Sequence, residues 1–330
     1  MSAAPTAAFT RRLFVGVDIP STGRDAGLVD LVVHAARIFD EAGADLLVVR
    51  DDYSPSGDLV AVDAPTLAAF AAPQTTRIAI APVVSTTHTE PFHVAKAIQT
   101  LDIVAEGRAG WQASITTSAR DAAAFGRREA PATADAWAEA EEAVEVARRL
   151  WDSWEDDAII RDVDTGRFID RDRVHHIDFE GRFFSIKGPS IVPRTVQGNP
   201  PVIVRVVPGD DAALNVAVRS ADIVRVAPEE ADRARAAAED AGRTPAIVVD
   251  LDATTLGPDG VADVLAELTA GETDGAVLVF AELPAEPSAW SGAIAAVAAS
   301  LPDGATLRER LGIPRLPSRY ATADREDATR

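Results

Sequence analysis

Eight short, largely apolar runs, rich in Val and Ile, recur along this chain, and each is followed by a segment with helical spacing. The runs are Leu13–Val17, Leu46–Val49, Ile78–Val84, Gly110–Ile115, Val202–Val207, Ile223–Val226, Ala246–Leu251 and Ala276–Phe280. Continuous apolar runs of this length suit strands covered on both faces, as in a parallel sheet. Helix candidates lie between them: Leu28–Ala42, Pro65–Ala72, Phe92–Ala105, Ala134–Trp154, Asp211–Ser220, Glu229–Ala241, Val261–Ala270 and Ser288–Leu301. Four of these stop at or just before a glycine (Gly43, Gly107, Gly242, Gly271), the residue best suited to a helix end. Strict strand–helix alternation, eight times over, predicts an α/β fold: a closed (β/α)8 TIM barrel in preference to an open doubly wound sheet.

The 330 residues are read as one barrel domain, 1–330, because single (β/α)8 barrels reach this size. The rhythm breaks at 155–200, between the fourth helix and the fifth strand. There the clusters Val174–Phe179 and Phe183–Ile186 predict a small ordered hairpin near the barrel mouth. The polar tail Ser318–Arg330 reads as frayed.

Charge and composition exclude several functions. A formal net charge of −20 repels phosphate backbones and anionic headgroups, so neither nucleic acid nor a membrane is an expected partner. Without cysteine there is no disulfide framework, thiolate metal site or Cys nucleophile. The opening residues lack the apolar run of a signal peptide, which points to a cytoplasmic protein.

In a parallel barrel the chemistry sits at the carboxyl ends of the strands. The candidates are therefore Asp18; Arg50, Asp51 and Asp52; Ser85, Thr86, Thr87 and His88; Gln112, Ser114, Thr116, Thr117 and Ser118; Arg205 with Pro208–Asp211; and Asp250 with Asp252. The Asp51/Asp52 pair could hold a divalent cation or do acid–base work, or could simply cap the next element and face solvent. His88, His93, His175 and His176 form neither an HxxxH nor an HExxH pattern, so no metal is expected. There is no GxGxxG, P-loop or GxSxG motif, which removes the Rossmann, nucleotide-loop and α/β-hydrolase readings. Trp151 and Trp154, spaced i, i+3, read as core.

The stretch Val84-Ser-Thr-Thr-His-Thr-Glu-Pro-Phe-His-Val-Ala-Lys96, followed by Thr100-Leu-Asp and Gly107-Arg-Ala-Gly-Trp111, resembles the bacterial-luciferase-like flavin monooxygenases. The branch it is most similar to contains the nitrilotriacetate, EDTA and dibenzothiophene-sulfone monooxygenases. The same branch is suggested by Leu150–Ala158, Asp170–His176, Gly181–Phe184, Gly188-Pro189, Gln197-Gly198 and Thr306–Gly312. This resemblance implies a barrel that binds reduced FMN from a separate flavin reductase and oxygenates a small organic substrate. It also implies a homodimer or a heterodimer with a related barrel. By resemblance the cofactor-binding positions are Asp51, Thr86, Gln112 (where Asn is usual), Trp137, Arg205 and Gly209; catalytic residues are not assigned.

Departures from the pattern raise a second reading beside this leading one. Where the family carries Gln-Ala-Gly-x-Ser-x-x-Gly to grip the FMN phosphate, this chain has Arg205-Val-Val-Pro-Gly-Asp-Asp-Ala212. The serine is gone, Pro208 removes an N–H, and two carboxylates face the phosphate position. At about 4 Å and an effective dielectric near 20, each such contact costs about 4 kcal/mol before relaxation. The family's Arg-Tyr is Ala136-Trp137, its aromatic is His88, and 227–275 is shorter than usual, so part of the substrate cover is missing. The alternative is a degenerate barrel that has lost FMN and acts as a non-catalytic binding or partner subunit. Arg205 discriminates: directed into the mouth it could replace the lost grip, whereas paired with Asp210 or Asp211 it would close the site.

Overall fold

The computed structural model describes residues 13–321 apart from 25–26, 52, 56, 272 and 299–303. Eight parallel strands close on one another: β1 Phe14–Pro20, β2 Leu46–Arg50, β3 Ala79–Ser85, β4 Trp111–Ser114, β5 Val202–Arg205, β6 Ile223–Val226, β7 Ala246–Asp252 and β8 Gly275–Val279. Neighbours in sequence are neighbours in space, and β1 completes the barrel between β8 and β2. This is the (β/α)8 barrel expected. Strand β1 runs two residues past Asp18, so that side chain lies inside the barrel and not at its lip.

The strands look continuously apolar because both faces are buried, yet the two faces differ. Outward residues such as Val15, Leu47, Ile80, Trp111, Val204 and Val224 pack under the helices. Inward residues Phe14, Leu46, Ala81, Ile203, Ile223 and Val277 fill the barrel's lower interior. Burying each large side chain contributes about 1.5–3 kcal/mol, and the layered filling makes the interior a core, not a pore. Gly275 opens β8 because a Cβ there would meet the Phe14 carbonyl oxygen at 2.3 Å.

The helices are α1 Leu28–Glu41, α2 Ala64–Ala71, α3 Pro91–Val104, α4 Ala119–Phe125, α5 Thr133–Asp152, α6 Asp211–Ser220, α7 Ala231–Asp240, α8 Ala253–Ala270, α9 Ser291–Val297 and α10 Leu307–Arg310. Sequence spacing missed α4 and α10, and it started α8 late because the chain breaks helical geometry at Gly257, just before Pro258. The last predicted helix is shorter than expected, and its end lies outside the described residues.

The insertion holds the expected hairpin, Phe179–Glu180 paired with Ser185–Ile186. It lies along the flank of α5 instead of roofing the mouth. The Glu142 carboxylate accepts the backbone N–H groups of Arg182, Phe183 and Phe184 at 2.7–2.9 Å. Only the hairpin tip reaches the mouth-side end of α5, where Arg182 meets Asp135 at 2.8 Å. Near the insertion's end, Gln197 donates to Asp102 at 2.6 Å and to the Ala109 carbonyl at 2.9 Å, at the opposite end of the barrel. The described part of the tail is docked, contrary to expectation. Ser318 donates to the Asp152 carbonyl at 2.6 Å, and Tyr320 stacks on His175 with ring centroids 5.3 Å apart.

Candidate functional site

Following the inward side of each strand toward its carboxyl end, apolar residues give way to a polar layer. From β1, β2, β4, β5, β6 and β7 come Asp18, Arg50, Gln112, Arg205, Arg225 and Asp250. Arg225, fully buried, is the hub. Its Nη1 lies 2.6 Å from Asp18 Oδ2 and donates to Gln112 Oε1 at 2.7 Å, while its Nε donates to Asp250 Oδ1 at 2.8 Å. Arg50 bridges Asp18 and the Phe280 carbonyl. Arg205 Nε donates to the other Asp250 oxygen at 2.5 Å. Burial alone would push the Arg225 guanidinium down, but Asp250 and Asp18 hold it up, so it stays charged. Breaking such a buried ion network at one member is expensive, because the partners left behind stay desolvated.

This layer was only partly legible. Asp18, Arg50, Gln112, Arg205 and Asp250 stood among the strand-end candidates, but Arg225 did not. The available signal was a charge inside Ile223–Val226, two residues past the inward Ile223.

The remaining expected positions are brought to the same end and are already engaged. Asp51 Oδ2 accepts the Ala64 N–H at the start of α2, at 3.4 Å, and Asp52 lies outside the described residues. Thr86 is buried and donates to the Ser114 carbonyl at 3.1 Å, fastening β3 to β4. Gln112 is spent on Arg225. Among the described residues, no group of three or more His, Asp or Glu could hold a metal ion.

At the α6 end the chain fills its own anion site. Gly209, at φ 84°, makes the turn that only a residue tolerant of left-handed backbone takes readily. The turn sets Asp210 as the N-cap of α6, where Oδ1 accepts the Ala213 N–H at 2.9 Å. Its Oδ2 accepts the indole N–H of buried Trp137 at 2.9 Å. Asp211 turns outward to Arg233. Arg205 therefore pairs with neither aspartate of the turn.

His88 is the other feature that the strand ends supply. It takes a left-handed φ of 68°, is 6% exposed, and stacks on Phe125 at 5.3 Å, with Phe125 edge-on to Tyr53 at 5.1 Å. Burial, aided by Arg128, pushes the His88 imidazole down, so it is neutral near pH 7. Burial and nearby Asp51 push the Tyr53 phenol up. These rings close the β2–β4 side of the mouth. The β5–β8 side stays open as a pocket of about 290 Å³ walled by Arg205, Val207, Pro208, Asp250, Val279 and Ala281.

A closed parallel barrel with its polar residues gathered at the carboxyl mouth defines a class of ligand-binding α/β barrels. Within that class the chain belongs to the luciferase-like monooxygenase family, whose model matches residues 14–271. It is 33% identical to the N-acetyl-S-(2-succino)cysteine monooxygenase of Bacillus subtilis (strain 168) over 63% of this chain and 48% of that protein. It is 36% identical to nitrilotriacetate monooxygenase component A of Aminobacter aminovorans over 49% and 35% of the two chains. The chain thus spans about half or less of the length of these relatives. A pristinamycin IIA synthase subunit from Streptomyces pristinaespiralis matches nearly end to end, at 29% identity over 90% of this chain and 93% of that one. The fold matches that of the EDTA monooxygenase from Chelativorans sp. BNC1, with a TM-score of 0.76 and 22% identity over 93% and 100% of the chains. Among the described residues no helix is long and apolar enough to cross a membrane.

Proposed function

We propose that this chain serves a flavin-dependent monooxygenase that oxidises a small organic substrate, with reduced FMN supplied by a separate flavin reductase. Family membership and relatives named as monooxygenases, one of them a component A, support that reading. A cytoplasmic location goes with it, and the acidic, cysteine-free composition is its support.

The FMN phosphate, a dianion, does not fit the α6 end of this barrel. A helix N-terminus binds phosphate through free N–H groups and its positive dipole end. Here the Asp210 carboxylate takes the Ala213 and Trp137 N–H groups, both at 2.9 Å. The role we assign to this barrel is therefore that of partner subunit to a related, flavin-carrying barrel. The end-to-end relative, named as part of a synthase, supports that role. The single observation that carries it is the position of Asp210. The competing reading is a chain that itself holds reduced FMN through Asp51, Thr86, Gln112, Trp137, Arg205 and Gly209, and Arg205 favours it, because it lines the mouth and pairs with neither Asp210 nor Asp211.

Titrating the purified chain with FMN and with riboflavin, oxidised and reduced, by fluorescence quenching and calorimetry separates the two. The partner role expects no gain for FMN over riboflavin. FMN binding tenfold tighter than riboflavin, about 1.4 kcal/mol, would return the chain to the competing reading.

A further inference from the structure

We propose that the pocket between β5 and β8 binds a small monocarboxylate, with the carboxylate on the Arg205 guanidinium and an apolar body against Val207, Pro208, Val279 and Ala281. This goes beyond the flavin question but rests on the partner reading in one respect: Arg205 is then free of an FMN phosphate. The first ground is charge. Three arginines of the mouth layer, Arg50, Arg205 and Arg225, are met by two carboxylates, Asp18 and Asp250, through the ion pairs described. Within this ion network, which does not include Asp252 on the pocket wall, one positive charge is in excess. Arg225 cannot reach solvent, so the excess is expressed at Arg205, whose side chain is 39% exposed.

The second ground is hydrogen bonding. Arg205 is anchored through Nε to Asp250, and its two Nη groups have no hydrogen-bond partner among the described residues. Arg225 Nη2, fully buried, has no partner either. Asp18 Oδ2 in the same layer also lacks a hydrogen-bond partner, so the donors that bear on the pocket are those of Arg205, which lines it. A guanidinium fixed by its Nε presents the paired donors that a carboxylate accepts side by side.

The third ground is the pocket's size and walls. A volume of about 290 Å³ holds roughly ten non-hydrogen atoms, at about 30 Å³ for each water it would displace. Apart from Arg205, Asp250 and Asp252, its lining is apolar or small. Asp252 is occupied by Thr255, which donates to its two oxygens at 3.0 and 2.7 Å. Either anion faces Asp252, a monocarboxylate with one negative charge and a phosphate dianion with two, so the monoanion is the better match to the network's single excess charge.

Calorimetry on the full chain tests this with three probes: isobutyrate, its neutral analogue isobutyramide, and inorganic phosphate. Isobutyrate should bind at least tenfold more tightly than isobutyramide. Arg205→Gln should erase that preference while Arg225 still holds Asp250, and a thermal melt checks that the variant folds. Ala281→Phe, at an exposed position of the wall, should abolish binding without touching the ion network. Isobutyrate binding that is absent, no better than the amide's, or unchanged in both variants overturns the proposal. Phosphate binding more tightly than isobutyrate through Arg205 would also overturn it, since the pocket would then be a phosphate site.

Discussion

Replacing Asp210→Ser together with Asp211→Gly removes two formal negative charges from the α6 turn, and the structure indicates that the two are unequal. Asp211 is 75% exposed and paired with Arg233, so water and its partner already screen most of its field. Asp210 is held at the helix end by two hydrogen bonds, and there a unit charge about 4 Å from a phosphate oxygen repels it by about 4 kcal/mol at an effective dielectric near 20. Relaxation and solvent reduce that figure, so a tenfold gain in FMN affinity, about 1.4 kcal/mol, is the conservative expectation. The stability cost can be worked out as well. Ser keeps the cap, whereas the buried Trp137 N–H loses its acceptor at about 1–3 kcal/mol, and Gly in the first turn adds roughly 0.5–1 kcal/mol. A bound phosphate would give Trp137 a new acceptor, so FMN should raise the melting temperature of the variant but not of the parent. Fluorescence titrations with FMN and with riboflavin, which lacks the phosphate, isolate the effect, and riboflavin affinity should barely change. A folded variant that binds riboflavin but gains nothing for FMN refutes the reasoning, because Asp210 would not be what excludes the phosphate. Binding of neither flavin would place the loss in the isoalloxazine seat itself and leave only the partner role.

Three further outcomes are expected from buried charges elsewhere. Arg225→Met should destabilise the chain by about 3–5 kcal/mol in urea unfolding, because Asp18 and Asp250 stay buried with one fewer cation each; a loss below about 1 kcal/mol would contradict the ion network. Asp40→Asn should cost about 2–3 kcal/mol at pH 7. Burial pushes the Asp40 carboxyl up, but the N–H groups of Thr76, Ile78 and Arg77, at 2.6–2.8 Å, outweigh that and hold it below the usual range. The stability a depressed carboxyl contributes is present above the unfolded value near 3.9 and lost as pH falls through the folded one, so the gap to Asn should close in acid. Asp102, raised by burial to about 6, has the opposite sign. Its contribution is full below about pH 4 and is lost by pH 6, about 3 kcal/mol in all, so Asp102→Asn should match the parent at pH 4 and exceed it at pH 7.5. Equal stability of the two proteins at both pH values would refute the shift.

The eight strands were legible because strands buried on both faces are apolar over most of their length. That same continuity concealed the mouth layer. Val204 and Arg205, or Val224 and Arg225, look like a run with a charge at or near its end until the period of two separates outward from inward residues. Even then, nothing local says that Arg225 meets Asp18, because barrel closure is what brings β6 and β1 to one interior. Trp137 and Asp210 are 73 residues apart, so the sequence suggested two suspect positions but not the bond between them. Helix α4 was missed for a local reason. It is seven residues long, too short to build a periodic stripe, and its last residue, Phe125, stacks on His88. The insertion misled differently: its aromatic clusters signalled a hairpin, while its placement depends on Glu142, a carboxylate on α5 that reads as surface charge.

Negative charge is handled in opposite ways at the two sides of the mouth, and this bears on how a chain of net charge −20 could select an anion at all. At physiological salt the screening length is about 8 Å, so the overall charge slows the approach of an anion but does not decide its binding at contact. Contact is decided locally. At α6 the helix end is already capped by the chain's own Asp210. At β5 the guanidinium of Arg205 is anchored through Nε by Asp250, which leaves its two Nη groups without a hydrogen-bond partner among the described residues. Exchanging the two features would reverse the selectivity. A serine at 210 offers phosphate a helix end, and a glutamine at 205 leaves carboxylates nothing to pair with. The two substitutions lie five residues apart on one loop, so their effects on phosphate and carboxylate binding, measured singly and together, should be independent only if the two sites do not share a ligand. Strong coupling between them would mean that one ligand spans both sites, with its anionic end at α6 and its body over Arg205.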